Sequence, residues 1–270
     1  MQLAPSETVL AEGPAPELSP GEARVRVLAC GICGTDLHAL RGMVLPKGAS
    51  YPIRPGHEVA GIVEELHGGT NGVAVGDLVA LHPIAPCGRC EACRSGHEKR
   101  CERARALGFH VPGGMAEEVA WPTDRMIPVS GLEPAEAALL PDAVATAYRA
   151  LMAAQLPAGG SLCLIGPGGV GTHVLKLARV LDPDARLAAV VRSKAAADRV
   201  EALGAEAVHG LPRAARRVRH SLGPVDAVVD FSGARAAPRE GVRMLRHGGR
   251  LVLGGVLDQP LSLGTTMTGV

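Results

Sequence analysis

The chain has 270 residues, 47% of them hydrophobic and 20% charged, with a formal net charge of +1. That length buries a sizeable core with room for two domains, and the composition excludes a disordered or fibrous chain. Near-neutral charge and an aromatic content of 2% argue against nucleic-acid binding, which draws on a strong positive field or on stacking platforms.

The amino-terminal residues MQLAPSETVLAEG lack the apolar stretch of a secretory signal, and no apolar run reaches bilayer length. Seven cysteines, four of them in one tight cluster, fit a reducing compartment and metal binding better than disulfides. A cytoplasmic protein with no membrane partner is expected.

Along the chain, residues 23–29, 59–65 and 77–81 read as strands between Gly and Pro punctuation, with few helical stretches before Pro134. Residues 134–140 and 142–156 are Ala-rich with helical spacing, and LPAGG ends them. A strand–helix rhythm follows. Strands are expected at 161–165, 187–191, 205–208, 225–230 and 250–254, with helices at 170–181, 194–203, 213–222 and 235–245. Such alternation implies right-handed crossovers and a parallel sheet, hence an α/β domain. The shift in composition places a boundary at 154, between a β-rich domain (1–154) and a more basic second domain (155–270). Arg213, Arg216, Arg217 and Arg219 read as a solvated helix face rather than a nucleic-acid site.

Cys87, Cys90, Cys93 and Cys101 lie in CGRCEACRSGHEKRC. Thiolates three residues apart in a Gly-containing turn converge on one ion, and a fourth from a following loop completes a tetrahedron. A closed four-thiolate site leaves no position for water, so this zinc would be structural. The lobe at about 86–102 is almost free of apolar residues, and metal ligation would supply most of its folding free energy.

Cys33 in GICGTDLH and His57 with Glu58 in PGHEVAG form a second candidate metal group. Asp36 could accept from the far nitrogen of a ligating His57, or simply cap a turn. GHEVAG is not the metalloprotease HExxH, because position 61 is Gly.

Gly166, Gly168, Gly169 and Gly171 sit in GPGGVG, between an expected strand and an expected helix. Small residues there let the backbone approach a pyrophosphate held at the helix N-terminus. The acidic residue that usually ends the second strand and binds the ribose hydroxyls of NAD is missing. Arg192, Ser193 and Lys194 stand there instead and could hold a 2′-phosphate, favouring NADP(H) over NAD(H); alternatively Arg192 is a plain surface residue.

Taken in order, GICGTDLH, PGHEVAG, the four-cysteine lobe and the glycine turn closely resemble the zinc-dependent alcohol dehydrogenases of the medium-chain dehydrogenase/reductase superfamily. The resemblance runs from Val25 to Val256. It implies a GroES-like β-rich catalytic domain followed by a Rossmann domain with a doubly wound parallel sheet. It also implies two zinc ions per chain, one catalytic and one structural, and a small alcohol or carbonyl substrate. By position, Cys33 and His57 resemble catalytic zinc ligands and Glu58 a carboxylate that enters as an extra ligand. Thr35 resembles the hydroxyl that contacts the substrate oxygen, and His38 the onward proton relay. PDAVATAYRAL places the third ligand at Asp142, where an Asp opening a helix also makes a favourable cap. Val170 and Thr146 would flank the nicotinamide ring. An open zinc position acidifies an alcohol, Thr35 and His38 give its proton a path to solvent, and a cofactor must take the hydride.

The chain ends in TTMTGV, about where the last Rossmann strand would lie, whereas the family continues with a segment that returns to the catalytic domain. A truncated second domain implies an exposed sheet edge, and with it either self-association as a homo-oligomer or poor stability alone. It also keeps an alternative open, a catalytically silent zinc- and nucleotide-binding relative acting as scaffold or regulatory subunit. A zinc-free quinone or enoyl reductase would have no use for Cys33, His57 and the cysteine lobe.

Overall fold

The computed structural model describes residues 1–42 and 45–255, and the chain divides into two units, Met1–Ala143 and Val144–Val270. The expectations attached to the end of the chain near Val270 lie outside the described residues.

The first unit opens with a short antiparallel pair, β1 (Gln2–Ala4) and β2 (Glu7–Thr8). Then come β3 (Glu22–Gly31), helix α1 (Gly34–Leu40), β4 (Glu58–His67), β5 (Leu78–Leu81) and β6 (Ile84–Ala85). The one-turn helix α2 (Glu91–Arg94), β7 (Arg105–Ala106), β8 (Glu118–Pro122), β9 (Met126–Pro128) and helix α3 (Pro134–Leu139) complete it. Five strands form an antiparallel sheet in the order β8-β3-β4-β5-β9, and β6 pairs with β7. Period-two alternation turns Ala23, Val25, Val59, Val63, Val79, Leu81, Val119 and Trp121 into one core. The β3–β4 register pairs Gly31 with Glu58, so Cys33 leaves its strand beside the point where His57 enters the next.

Helix α1 was not expected. Gly34 and Thr35 are poor helix formers, but Asp36 reaches back to accept from the Cys33 N–H at 2.9 Å and fixes the first turn. The expected break before Asp142 is also absent. A π-type turn (Leu140–Val144) joins α3 directly to α4 (Ala145–Ala154), so Asp142 lies within a helical run rather than at a helix start. Pro141 has no N–H to donate to the preceding turn, and widening the turn accommodates that loss.

The second unit contains α4 and then β10 (Ser161–Ile165), α5 (Gly169–Leu181), β11 (Arg186–Val191), α6 (Lys194–Glu201) and β12 (Ala205–His209). It continues through α7 (Ala214–Ser221), β13 (Val225–Asp230), α8 (Ala237–Met244) and β14 (Leu245–Leu253). The sheet is parallel throughout, in the order β12-β11-β10-β13-β14. Leu162, Leu164, Leu187, Ala189 and Val191 face a layer built by α4, α5 and α6, while Cys163, Ile165, Ala188 and Val190 face α7 and α8. This is a doubly wound sheet. Ala147, Ala150, Leu151 and Ala154 of α4 pack into its core, which is why α4 goes with this unit. The order reverses between β10 and β13, the place where such sheets open a ligand crevice beyond their carboxyl ends.

Candidate functional site

Cys33 precedes α1, His57 precedes β4 and Asp142 sits in the π-type turn. One ligand atom from each lies within 4.8 Å of the others. His57 Nε2 is 3.4 Å from Asp142 Oδ2, and its Nδ1 is 3.3 Å from Asp36 Oδ1. Phe109 flanks the imidazole, with ring centroids 5.7 Å apart. His57 and Asp36 are each 6% exposed and Glu58 is 3% exposed. Gly31 makes room for Glu58, since a Cβ there would overlap the Glu58 carboxylate.

The electrostatics follow from this crowding. Burial lowers the His57 pKa, but contacts with Asp142, then Asp36 and Cys33, outweigh it and push it up to about 12. Burial raises Asp142, but His57 outweighs it and holds that carboxyl below its ordinary range. Burial, reinforced by the Asp142 charge, pushes Glu58 up to about 7. Clustered buried anions are costly without a cation among them. Thiolate, imidazole and carboxylate gathered within 4.8 Å of one another are donors that zinc takes, and Cys33 with Asp142 would neutralise its charge. The residues fit the ion.

Thr35 and His38 lie three apart on α1, on one face. Thr35 Oγ1 is 3.7 Å from Cys33 Sγ. His38 Nδ1 is buried and has no hydrogen-bond partner among the described residues. One Asp36 oxygen caps the helix start; the other lies 3.3 Å from His57 Nδ1, a charge contact in which neither of these two buried atoms makes a hydrogen bond among the described residues.

In the second group, Cys87, Cys90, Cys93 and Cys101 bring their sulfurs within 4.8 Å of one another. Cys90 immediately precedes α2 and Cys93 lies within it, 3.3 Å apart at sulfur, while Cys101 follows the short turn Glu98–Arg100. The Cys87 N–H donates to Cys101 Sγ at 3.3 Å. A hydrogen bond from the Arg89 backbone is the largest influence on Cys87, which is lowered to about 6. The Cys93 backbone chiefly lowers Cys90, whereas desolvation, with Cys90 beside it, pushes Cys93 up to about 12. Without a cation, neighbouring thiols cannot all ionise; an ion removes that conflict. No residue of α2 or of the turn after it is buried, and Glu98 pairs with Arg125 at 2.9 Å to hold the lobe.

In the second unit, the turn after β10 contains Gly166, at φ +85°, where a Cβ would come within 2.6 Å of the Ser232 nitrogen. A Cβ at Gly171 would overlap the Gly166 carbonyl, so that glycine lets α5 approach the strand. At Gly168 and Gly169 a Cβ would meet nothing within 4 Å. The outer glycines serve packing and the middle two face open space, which is the cradle a pyrophosphate requires. Val170 lies in the first turn of α5 and Thr146 in that of α4.

After β11, Ser193 caps α6 by accepting from the Ala196 N–H at 3.2 Å, and Lys194 pairs with Asp198 at 3.0 Å. Arg192 is exposed and takes part in no hydrogen bond or ion pair among the described residues. Asp230, which sequence reasoning missed, ends β13 and is 2% exposed; its Oδ1 accepts from the Ser232 N–H at 2.8 Å and hydroxyl at 2.6 Å. It shapes the turn that packs on Gly166. Phe109 also went unnoticed, because its ring reaches His57 only through tertiary contact.

Two family models match the chain: the alcohol dehydrogenase GroES-like domain over residues 19–131 and the zinc-binding dehydrogenase over residues 169–269. An alcohol dehydrogenase of Geobacillus stearothermophilus is 33% identical over 254 residues, 92% of this chain and 74% of the relative. An NAD-dependent alcohol dehydrogenase of Saccharolobus solfataricus is 32% identical over 250 residues, 88% of this chain and 72% of the relative. Among solved structures, a zinc-binding dehydrogenase from Sinorhizobium meliloti bound to NADP superposes with a TM-score of 0.84 at 30% identity, covering 93% of this chain and 74% of that one.

Proposed function

The chain belongs to the zinc-dependent alcohol dehydrogenases of the medium-chain dehydrogenase/reductase superfamily, and from that premise we propose which of its residues do the work. It is a zinc-dependent oxidoreductase that moves hydride between an alcohol, or its carbonyl partner, and a nicotinamide cofactor. The relatives are dehydrogenases, and nothing in them favours a catalytically silent role.

We assign the catalytic zinc to Cys33, His57 and Asp142, which would hold it, with Glu58 as the carboxylate that could enter as an extra ligand. The observation that carries this is the convergence of the three donor atoms within 4.8 Å. Zinc bound there supplies a Lewis acid that lowers the pKa of an alcohol oxygen toward neutrality. Asp36, 3.3 Å from His57 Nδ1, would accept from that nitrogen and leave Nε2 to hold the zinc. Thr35 accepts the alcohol proton and passes it to His38, which releases it to solvent. The second zinc belongs to the four-cysteine lobe, where it organises chain rather than substrate.

Gly166, Gly168, Gly169 and Gly171 receive the dinucleotide, with Val170 and Thr146 beside its nicotinamide. Arg192 is exposed and has no ion-pair partner among the described residues, which supports its use on a 2′-phosphate and so NADP(H) over NAD(H). Ser193 and Lys194 already serve α6, so their share is smaller. A cytoplasmic location and a homo-oligomeric state belong to the same reading; seven cysteines with no disulfide among them, five of them assigned to zinc, support the first. An assay of zinc-loaded protein against a panel of aliphatic, polyol and sugar-derived alcohols, each with NAD and NADP, tests it. Turnover lost in Cys33→Ser is expected; turnover retained in that variant contradicts the assignment.

A further inference from the structure

Helix α1 carries Cys33 at its start and Thr35, Asp36 and His38 in its body, yet it is only seven residues long. A helix that short does not hold itself, and its last carbonyls lack partners within it. Three of the groups that satisfy them come from other segments. The Ala39 carbonyl accepts locally from the Gly42 N–H at 2.9 Å, and it accepts as well from the Tyr51 hydroxyl at 2.6 Å and from Gln2 Nε2 at 3.0 Å, the two donors that come from distant segments. The Ser6 N–H donates to the Leu40 carbonyl at 2.6 Å.

Gln2 makes a second connection. Its backbone pairs both ways with Ile53, N–H to carbonyl at 2.8 Å and carbonyl to N–H at 2.9 Å. Ile53 lies in the segment that runs into His57. Gln2 is 2% exposed, a polar side chain buried where an apolar one would otherwise be expected. Ala39, Ile53 and Tyr51 share an apolar cluster with Phe109, whose ring flanks His57. One buried amide and one phenol therefore tie the helix of Cys33 to the segment of His57.

We propose that Gln2 and Tyr51 are positioning residues of the catalytic metal centre: through the Ala39 carbonyl they keep α1, with Cys33, Thr35, Asp36 and His38, in register with His57. This rests on the assignment of zinc to Cys33, His57 and Asp142. Neither residue touches substrate or metal; each acts by removing the freedom of α1 to shift along its axis. A shift of that kind would open the Cys33–His57 spacing and leave the cysteine lobe untouched.

The test is the rate of zinc transfer to a chromogenic chelator from zinc-loaded wild type, Tyr51→Phe, Gln2→Met and Cys33→Ser. Wild type should release zinc in two phases, and the phase missing from Cys33→Ser belongs to the catalytic centre. Tyr51→Phe keeps the ring in its cluster and loses one donor. It should speed that phase about three- to tenfold, the scale of one hydrogen bond, and leave the lobe phase unchanged. Gln2→Met should do the same, and where it fails to fold Tyr51→Phe alone decides. Unchanged rates in Tyr51→Phe, or equal acceleration of both phases, would overturn the positioning role. A wild type with no Cys33-dependent phase would instead overturn the zinc assignment on which it rests.

Discussion

His57 lies between Asp36, 3.3 Å from one ring nitrogen, and Asp142, 3.4 Å from the other, and that crowding of charge decides what the cluster accepts. Without an ion a proton satisfies the two carboxylates, so zinc must displace it and its affinity falls as the solution becomes acidic. At the cofactor end the deciding side chain is Arg192. Replacing it with Asp should weaken NADP(H) by roughly 1.5–3 kcal/mol, the scale of a hydrogen bond to a charged group, and improve NAD(H). Fluorescence titration of both cofactors reads this directly; identical affinities in the two proteins would make Arg192 a surface residue. The four lobe cysteines were legible in the sequence because their spacing is local. Asp142 was reached only through the resemblance to a family, since nothing near it in the chain marks it as a ligand. Gln2, Tyr51 and Asp230 gave no signal, because each earns its role from partners distant in sequence.

Among elements, the strands of the parallel sheet were the most legible. The three central ones, β10, β11 and β13, are buried on both faces and read as apolar runs, and 161–165 and 225–230 match β10 and β13 residue for residue. Helix α1 escaped because tertiary caps, not propensity, hold it, and the π-type turn escaped because Pro141 widens a helix it was expected to end. The edge where β10 and β13 begin gives a pH prediction. Burial raises the Asp226 carboxyl, but Arg246, then the Ser161 amide and hydroxyl, outweigh it and bring it from 3.8 to about 2. A depressed folded pKa stabilises above the unfolded value, and that contribution disappears as pH falls through the folded one. Denaturant unfolding of Asp226→Asn should therefore lose less stability than wild type on going from about pH 4 to about pH 2. A loss equal to that of wild type would mean the network contributes nothing. In the lobe, Cys101→Ser should release one zinc and expose about residues 86–102 to limited proteolysis, because α2 buries nothing of its own. A lobe as resistant as in wild type would show that the metal is not what orders it.

For the molecule as a whole, described residues contain no helix long and apolar enough to cross a membrane, and the chain spans about three quarters of its relatives' length. A dinucleotide that binds only the folded second unit stabilises it by mass action. Saturating NADP, at about 100 times its dissociation constant, should add roughly 2.7 kcal/mol and raise the melting temperature; an unmoved transition would indicate no such site. Size-exclusion chromatography in the same buffers reads the proposed self-association. The function proposed for the chain requires two metal groups, one at Cys33, His57 and Asp142 and one in the cysteine lobe. Elemental analysis of protein purified without chelator should find two zinc ions per chain, and one in Cys33→Ser with the fold retained. A single zinc that survives Cys33→Ser would contradict it.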